Sequence, residues 1–146
     1  MKTGAVIVIA SSVLIATLGI FVNISTQDKV RVEDSPAGKY RIEEPVYGGL
    51  AKAAQSGDCK AAYRLGRHHV FATRNTNEAI RWYRLASKCP HADAKGELVS
   101  ILMHFDTADA EVDRLLSEIQ TINPEAAETD RAAVESVRAL RARQNR

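Results

Sequence analysis

The chain has 146 residues, 45% of them hydrophobic, and a formal net charge of +2. A sequence of this size has room for one small domain. Part of the hydrophobic content lies in an uncharged segment near the N-terminus, residues 4–24, and is not expected to join the core of that domain.

Residues 4–24 form, if helical, a rod of about 30 Å, which matches the hydrocarbon thickness of a bilayer. The segment is therefore a membrane anchor or a secretion signal. A cleavable signal ends in a small-x-small site, and the candidates are poor because Thr17 lies inside the apolar run and Asn23 is bulky. We favour an uncleaved anchor over residues 1–26 that crosses the inner membrane once. Lys2 favours a cytoplasmic N-terminus, which places the globular domain in the periplasm.

Residues 27–49 lack helical periodicity. Two segments, residues 29–33 and 39–43, alternate polar with apolar residues around the turn-forming sequence DSPAG, a pattern typical of a small β-hairpin. An extended tether is an equally good interpretation, because an isolated hairpin is only marginally stable. Pro45 and the pair Gly48 and Gly49 are expected to end this segment.

Residues 50–102 contain two copies of one helical pattern, offset by 33 residues. The matching positions are Ala53, Ala61 and Leu65 in the first copy and Ala86, Ala94 and Leu98 in the second. A repeat length in the low thirties is typical of a helix-turn-helix solenoid. Asn75 followed by Glu78 has the form of a capping box and marks the start of the second helix. The pattern predicts an antiparallel helical hairpin within an all-α domain over residues 50–146.

This segment resembles the Sel-one-like repeat, a relative of the tetratricopeptide repeat. The resemblance lies in small residues spaced around a Trp-Tyr pair and covers residues 50–102. The residues that carry it are Ala53, Ala54, Gly57, Ala61, Leu65, Gly66, Ala79, Trp82, Tyr83 and Ala86. The second copy is degenerate, since Pro90 stands where the first has Gly57. The resemblance implies a short all-α solenoid that binds proteins, with the first helix of each repeat lining a concave binding surface.

Three further helices are predicted, over residues 91–105, after Asp106 as a cap, and over residues 125–143, so that the domain has about five main helices. Their expected buried positions are Ala94, Leu98, Ile101 and Leu102 in the first, Val112, Leu115, Leu116, Ile119 and Ile122 in the second, and Ala126, Ala133, Val137 and Leu140 in the third. The narrow stripe of the last helix is typical of an end cap with a polar outer face.

The two cysteines flank the predicted helical hairpin. Cys59 begins its first helix, Cys89 follows its second, and their mean position falls in the predicted turn. Residues symmetric about an antiparallel turn lie side by side, so a disulfide is geometrically reasonable. In an oxidising compartment, closing a loop of about 30 residues contributes about 3–4 kcal/mol. The alternative is two buried free thiols.

Charge is segregated along the sequence. Residues 50–90 contain eight Lys and Arg against two Asp and Glu, residues 91–130 contain two against ten, and residues 131–146 contain five against one. Such blocks are either solvated outer faces or surfaces that steer a charged partner. The candidate contact residues on the first repeat helix are Lys60, Arg64, Arg67 and His68, which are expected to be exposed if Ala62, Leu65 and His69 are buried.

Other functional classes find little support in the sequence. The basic block lacks the exposed interleaved aromatics on which single-stranded nucleic acid stacks. His68 and His69 are adjacent on a helix and cannot both face one metal ion. No serine lies in a nucleophile-elbow context, and the neighbouring Cys89 and His91 do not by themselves make a catalytic pair. We therefore expect no enzyme activity, no metal and no cofactor, a protein partner, and membrane contact through the N-terminal helix.

The predicted function is protein binding in the cell envelope. The resemblance implies two kinds of role, because such repeats serve as adaptors and some small exported members are immunity proteins that inhibit antibacterial effectors. Small size, one degenerate repeat unit, export and charge blocks favour an immunity protein. The alternative is a membrane-tethered adaptor that assembles envelope enzymes or a signalling complex.

Overall fold

The computed structural model describes residues 35–146, which fold into seven α-helices and one 3₁₀ turn. The helices are α1 (Pro36–Lys39), α2 (Glu44–Gln55), α3 (Cys59–Phe71), α4 (Thr76–Ala86), α5 (Ala92–Leu102), α6 (Asp109–Ile122) and α7 (Pro124–Gln144), and the 3₁₀ turn Asp106–Ala108 precedes α6. Within these residues there is no β-strand. The predicted all-α class is confirmed for this part of the chain.

The helices from α2 onward pack on one another in the order of the sequence. Each packs against its neighbour in the sequence, and contacts between α2 and α4 and between α5 and α7 join helices two apart. Helices α3, α5 and α7 border one common depression, and α4 and α6 contribute most of the lining of another. The α3/α5/α7 face, defined by these three helices, is the part of the fold on which the candidate site lies.

Local sequence explains where the repeat helices begin and end. The Asp58 carboxylate accepts hydrogen bonds from the backbone N–H groups of Lys60 and Ala61 at 2.9 and 3.0 Å, which caps α3. Asn75 caps α4 as predicted, because its side-chain oxygen accepts from Glu78 N at 3.2 Å. The reciprocal half of a capping box does not form, since Asn75 N donates to His69 O at 2.8 Å.

A tight approach of α3 and α4 organises the core. A Cβ atom built on Gly66 of α3 lies 2.5 Å from two ring carbons of Tyr83, so only glycine fits beside this fully buried ring. Around Tyr83 lies one apolar cluster, which includes Leu98, Val99, Leu115 and Ile119. A second cluster surrounds Leu65 and Trp82. Ala62, Leu65 and His69, the positions of α3 that the sequence analysis expects to be buried, are buried.

Cys59 and Cys89 form a disulfide with their Cα atoms 6.3 Å apart. It links the first residue of α3 to the segment after α4. The predicted pairing is confirmed, and the alternative of two free thiols is wrong.

The predicted segment over residues 27–49 differs from the structure where the two can be compared. Residues 39–43, the expected second strand, are the end of α1 and a short link, and α2 already begins at Glu44. Pro45 starts this helix rather than ending a tether, because its fixed φ suits a first helical turn. Gly48 and Gly49 lie inside α2. The predicted first strand, residues 29–33, lies outside the described residues.

The predicted anchor, residues 1–26, also lies outside the described residues. Among residues 35–146, every helix is too short or too polar to span a bilayer.

The last two helices follow the prediction in part. Val112, Leu115, Leu116 and Ile119 of α6 are buried as expected, but Ile122 is 40% exposed, and Asp106 belongs to the 3₁₀ turn instead of capping the helix. In α7 the buried residues are Ala127 and Val134, and the predicted stripe Ala126, Ala133, Val137 and Leu140 is wrong by one register position. The reason is that Arg138 and Arg141 continue the buried side of α7 and pair with α6.

Candidate protein-binding surface

The four candidate contact residues of α3 do not share one environment. Lys60 and Arg64 are exposed, Arg67 is half-buried, and His68 is 7% exposed. The prediction that His68 is exposed is therefore wrong. The link between α1 and α2 covers this histidine, and Ile42 N donates a hydrogen bond to its Nδ1 at 3.1 Å. Sequence reasoning missed this contact because it expected residues 39–43 to be a strand or tether.

Arg67 is held by aromatic side chains. Its guanidinium lies 4.1 Å from the centroid of the Tyr40 ring and donates a hydrogen bond to the Tyr40 hydroxyl. The rings of Tyr40 and Phe71 are in contact, with centroids 4.7 Å apart. Stacking of this kind stabilises a guanidinium that is only partly hydrated. Arg67 therefore fixes the chain before α2 onto α3 and is not a freely available contact residue.

His69 has a structural role beside it. The Tyr47 hydroxyl lies 2.9 Å from its Nε2, and the Thr73 hydroxyl lies 2.9 Å from its Nδ1. Burial lowers the pKa of His69, and the neighbouring His68 lowers it further. The ring therefore stays neutral at physiological pH and joins α2 to α3.

The α3/α5/α7 face carries a depression of about 400 Å³, which we name the acidic depression. Its lining residues are Tyr63 of α3, Ala92, Asp93, Gly96, Glu97 and Ser100 of α5, and Ala126 and Asp130 of α7. Gly96 gives Asp130 room, because a Cβ at this position lies 3.0 Å from the Asp130 Oδ2. Three carboxylates and one tyrosine ring thus line the same depression.

Two carboxylates of the acidic depression, those of Glu97 and Asp130, are partly desolvated, whereas Asp93 is exposed. Burial raises the pKa of Glu97, with a smaller effect in the same direction from Asp93, while Arg67 lowers it. Burial likewise raises the pKa of Asp130. Within the part of the chain that the structure describes, Asp93, Glu97 and Asp130 form no ion pair.

The acids of α6 are in a different situation. Arg84 binds Glu111 through two hydrogen bonds of 3.0 and 2.7 Å, which join α4 to α6. Asp109 accepts from Arg141 at 2.8 Å and from Arg138 at 3.2 Å, and these hydrogen bonds lower its pKa. Many charged residues from the sequence blocks of opposite sign therefore pair with each other between helices.

A buried lysine that the sequence analysis did not identify forms a further ion pair between helices. Lys95 is 4% exposed, and its Nζ donates to the Ser87 carbonyl and lies 2.6 Å from the Glu118 carboxylate. Lys95 directly follows Ala94 and lies three residues before Leu98, both expected to be buried, and this spacing was the sequence signal that Lys95 faces inward.

The structure also shows the surroundings of the residues that the sequence analysis considered for catalysis and metal binding. Cys89 is in the disulfide and carries no free thiol for His91 to activate. Among residues 35–146, no group of three or more His, Cys, Asp or Glu side chains is suited to hold a metal ion.

Comparison with protein-family models, with curated proteins and with solved structures finds no match to this chain. The resemblance to the Sel-one-like repeat therefore stays a hypothesis that depends on the residue pattern.

Proposed function

We propose that this chain is a protein-binding module of Sel-one-like repeats in the cell envelope, and that it acts as an immunity protein that neutralises an antibacterial effector. The observation that carries the proposal is a surface of charged side chains that have no ion-pair partners among residues 35–146. These side chains are Lys60 and Arg64 on α3 and the three carboxylates of the acidic depression.

Such a surface suits a protein partner for physical reasons. Uncompensated charges of both signs on one rigid face accelerate encounter with a complementary surface and fix its orientation. The helices behind this face are braced by the Arg84–Glu111 pair and by the disulfide. A preorganised binding face loses little conformational entropy when it binds.

The disulfide supports the proposed compartment. Such bonds persist in the periplasm and outside cells and are rare in the cytosol, where thiols are kept reduced. The bond between Cys59 and Cys89 is therefore consistent with an exported domain.

The experiment begins with capture of the full chain, tagged after Arg146, from crosslinked native membranes. One secreted hydrolase or toxin should be recovered in near stoichiometric amount. Cells that produce the chain should then survive delivery of that effector to their periplasm. The double change Lys60→Glu and Arg64→Glu should abolish both capture and protection.

A matched variant controls for net charge. Lys52→Glu with Lys88→Glu makes the same charge change at exposed positions of α2 and of the turn after α4. It should retain capture and protection. Recovery of several resident envelope proteins without protection contradicts the immunity function and favours the adaptor, and equal loss in both variants contradicts the assigned surface.

A further inference from the structure

We propose that a depression at the ends of α3 and α5 binds a segment of the protein partner in which an acidic side chain lies next to an apolar one. This inference rests on the proposed protein-binding function and adds the chemistry by which one part of the surface recognises its partner. The depression has a volume of about 330 Å³, and we name it the Phe105 depression. Its lining includes Val70, Arg74, Ser100, Ile101, His104 and Phe105. Because Ser100 also lines the acidic depression, this site borders the α3/α5/α7 face.

An exposed aromatic side chain forms the apolar part of the site. Phe105 lies three residues beyond the end of α5 and is 46% exposed. Val70 and Ile101, which are half-buried, line the depression beside it. Phe105 also lines the depression that α4 and α6 border, so its ring contributes to two neighbouring concave surfaces. An apolar side chain of a partner that enters here removes this ring from water, which favours binding.

The charge of the Phe105 depression favours an acidic group beside that apolar side chain. None of the described residues that line it is acidic, whereas Arg74 and His104 both do, and both are exposed. Neither forms an ion pair within residues 35–146. Glu78 acts electrostatically on the neighbouring His69, but its carboxylate already lies 3.4 Å from the Arg81 guanidinium. A carboxylate of a partner is therefore the complementary charge.

The helix ends at this site do not oppose an anion. The C-terminal ends of α3 and α5 carry carbonyl groups, which repel anions when they are unpaired. The His69 carbonyl accepts a hydrogen bond from Asn75 N at 2.8 Å, and the Leu102 carbonyl accepts one from Phe105 N at 2.9 Å. Thr76, the first residue of α4, also lines the depression, and the partial positive charge of a helix N-terminus favours an anion.

The backbone of Arg74 gives an independent indication. Its φ of 54° lies in the left-handed region, which favours glycine over residues with a Cβ. Among residues 35–146, the Arg74 side chain makes no ion pair that offsets this cost. Residues held in such conformations cluster where side chains contact ligands. The guanidinium is therefore placed to bind a carboxylate from outside this fold, with paired N–H donors that match its geometry.

The number of basic residues favours a protein segment over a membrane surface. Attraction to anionic lipids requires several Lys or Arg side chains near one surface. The Phe105 depression has Arg74 and His104 in a concave site instead. This arrangement suits one acidic side chain with an apolar neighbour.

The test uses a short peptide, because the partner has not been isolated. The full chain is held in phosphatidylcholine bicelles, since its residues 4–24 are uncharged, and its Val and Ile methyl groups are ¹³C-labelled. The peptide acetyl-Gly-Glu-Phe-Glu-Leu-Gly-amide is titrated, and the methyl signals of Val70 and Ile101 are followed by NMR. We expect saturable shifts with a Kd on the order of millimolar. The signal of Val46, exposed on α2, should stay unchanged.

Two controls separate charge from apolar contact and from lipid. The same peptide with Gln in place of both Glu residues keeps its shape and apolar side chains, and it should bind about tenfold more weakly, the loss of one charge-assisted interaction. Bicelles that contain phosphatidylglycerol, without peptide, should leave the Val70 and Ile101 signals unchanged.

A variant of Arg74 removes the charge without straining the fold. Arg74→Gly suits the left-handed backbone, so its free energy of unfolding should not fall, whereas its Kd for the Glu peptide should rise about tenfold. Lys88→Gly removes one positive charge from an exposed turn outside the depression and should leave the Kd unchanged. Circular dichroism shows whether each variant is folded. For a variant that does not fold, the comparison of the Glu and Gln peptides on the unmodified chain still decides.

Equal Kd values for the two peptides, or no saturable shift with the Glu peptide, overturn the proposal. So does an unchanged Kd in folded Arg74→Gly, and so do shifts with phosphatidylglycerol alone, which assign the site to a membrane surface. These failures are distinguishable from failure of the proposed function. If a partner is captured from membranes but the Glu peptide does not bind, only the role of the Phe105 depression is wrong. If the Glu peptide binds but no partner is captured, the immunity function is contradicted and the recognition of acidic segments stands.

Discussion

The close packing of α3 on α4 predicts a large loss of stability for Gly66→Ala. The new Cβ lies 2.5 Å from Cδ1 and Cε1 of Tyr83, well inside van der Waals contact. The Tyr83 ring is fully buried in the larger core cluster, so it cannot move without displacing its neighbours. Overpacking of this kind costs about 1–3 kcal/mol, and more where backbone must shift. The gain from replacing glycine in a helix is about 1 kcal/mol. Because the 2.5 Å contact is with a ring that cannot move, we take the upper end of the overpacking cost, about 3 kcal/mol, and expect a net loss of about 2 kcal/mol.

A second glycine provides a matched control. Gly49 is exposed inside α2, and a Cβ at this position has no atom within 4 Å. Gly49→Ala should therefore raise the free energy of unfolding by about 0.5–1 kcal/mol, because alanine loses less backbone entropy. Both variants are measured by urea unfolding of the full chain, followed by far-UV circular dichroism. If Gly66→Ala is as stable as Gly49→Ala, the reasoning about the helix contact is refuted.

Three further predictions concern the disulfide, the buried lysine and pH. Cys59→Ala should lower the free energy of unfolding by about 3–4 kcal/mol in oxidised protein, because the loop closed to Cys89 no longer restricts the unfolded chain; an unchanged urea midpoint argues against the bond. Lys95→Met should cost about 1–2 kcal/mol, because the Ser87 carbonyl and the Glu118 carboxylate each lose a charge-assisted hydrogen bond while Glu118 keeps Arg114. An unchanged free energy of unfolding in the same assay contradicts this. The pKa of His69 is lower in the folded chain than the value of about 6.5 expected on unfolding, so the unfolded state binds more protons. Thermal stability should therefore fall as pH decreases from about 6.5 through the folded pKa. His69→Gln should flatten this dependence, and an equal slope in the variant contradicts the prediction.

The repeat helices were predictable because their signals are local. The helical spacing of apolar residues around Leu65 and around Trp82, the cap at Asn75 and the glycine at position 57 each act within a few residues. Gly57 has φ +102°, a left-handed conformation that favours glycine after a helix end. The disulfide followed from the same periodicity, because the turn fixes which residues lie opposite each other.

The wrong predictions concern segments whose structure depends on contacts between residues far apart in the sequence. Residues 39–43 alternate like a strand, but Ile42 hydrogen-bonds to His68, 26 positions away. In α7, arginines that look solvent-exposed continue the side that packs on α6, because Asp109 neutralises them. No local pattern marks such residues as inward-facing.

The acidic depression could not be predicted for the same reason. Tyr63, Glu97 and Asp130 lie on three helices, and only the packing of α5 on α7 and the small size of Gly96 bring them together. The spacing of Asp93 and Glu97, one helical turn apart, was a local signal for part of it. The third carboxylate, Asp130, lies on α7, so its place beside the other two could be known only from the fold.

The central claim is that this chain binds one protein partner through the α3/α5/α7 face. Its most direct measurement is site-specific photo-crosslinking in living cells, with the photoreactive residue placed at Arg64, at Ser100 or at Gln120. Arg64 and Ser100 lie exposed on α3 and α5, and Gln120 lies exposed on α6. The account predicts one dominant adduct of the same mass from the first two positions and none from Gln120. Adducts from Gln120 alone, or the same set from all three positions, would contradict it.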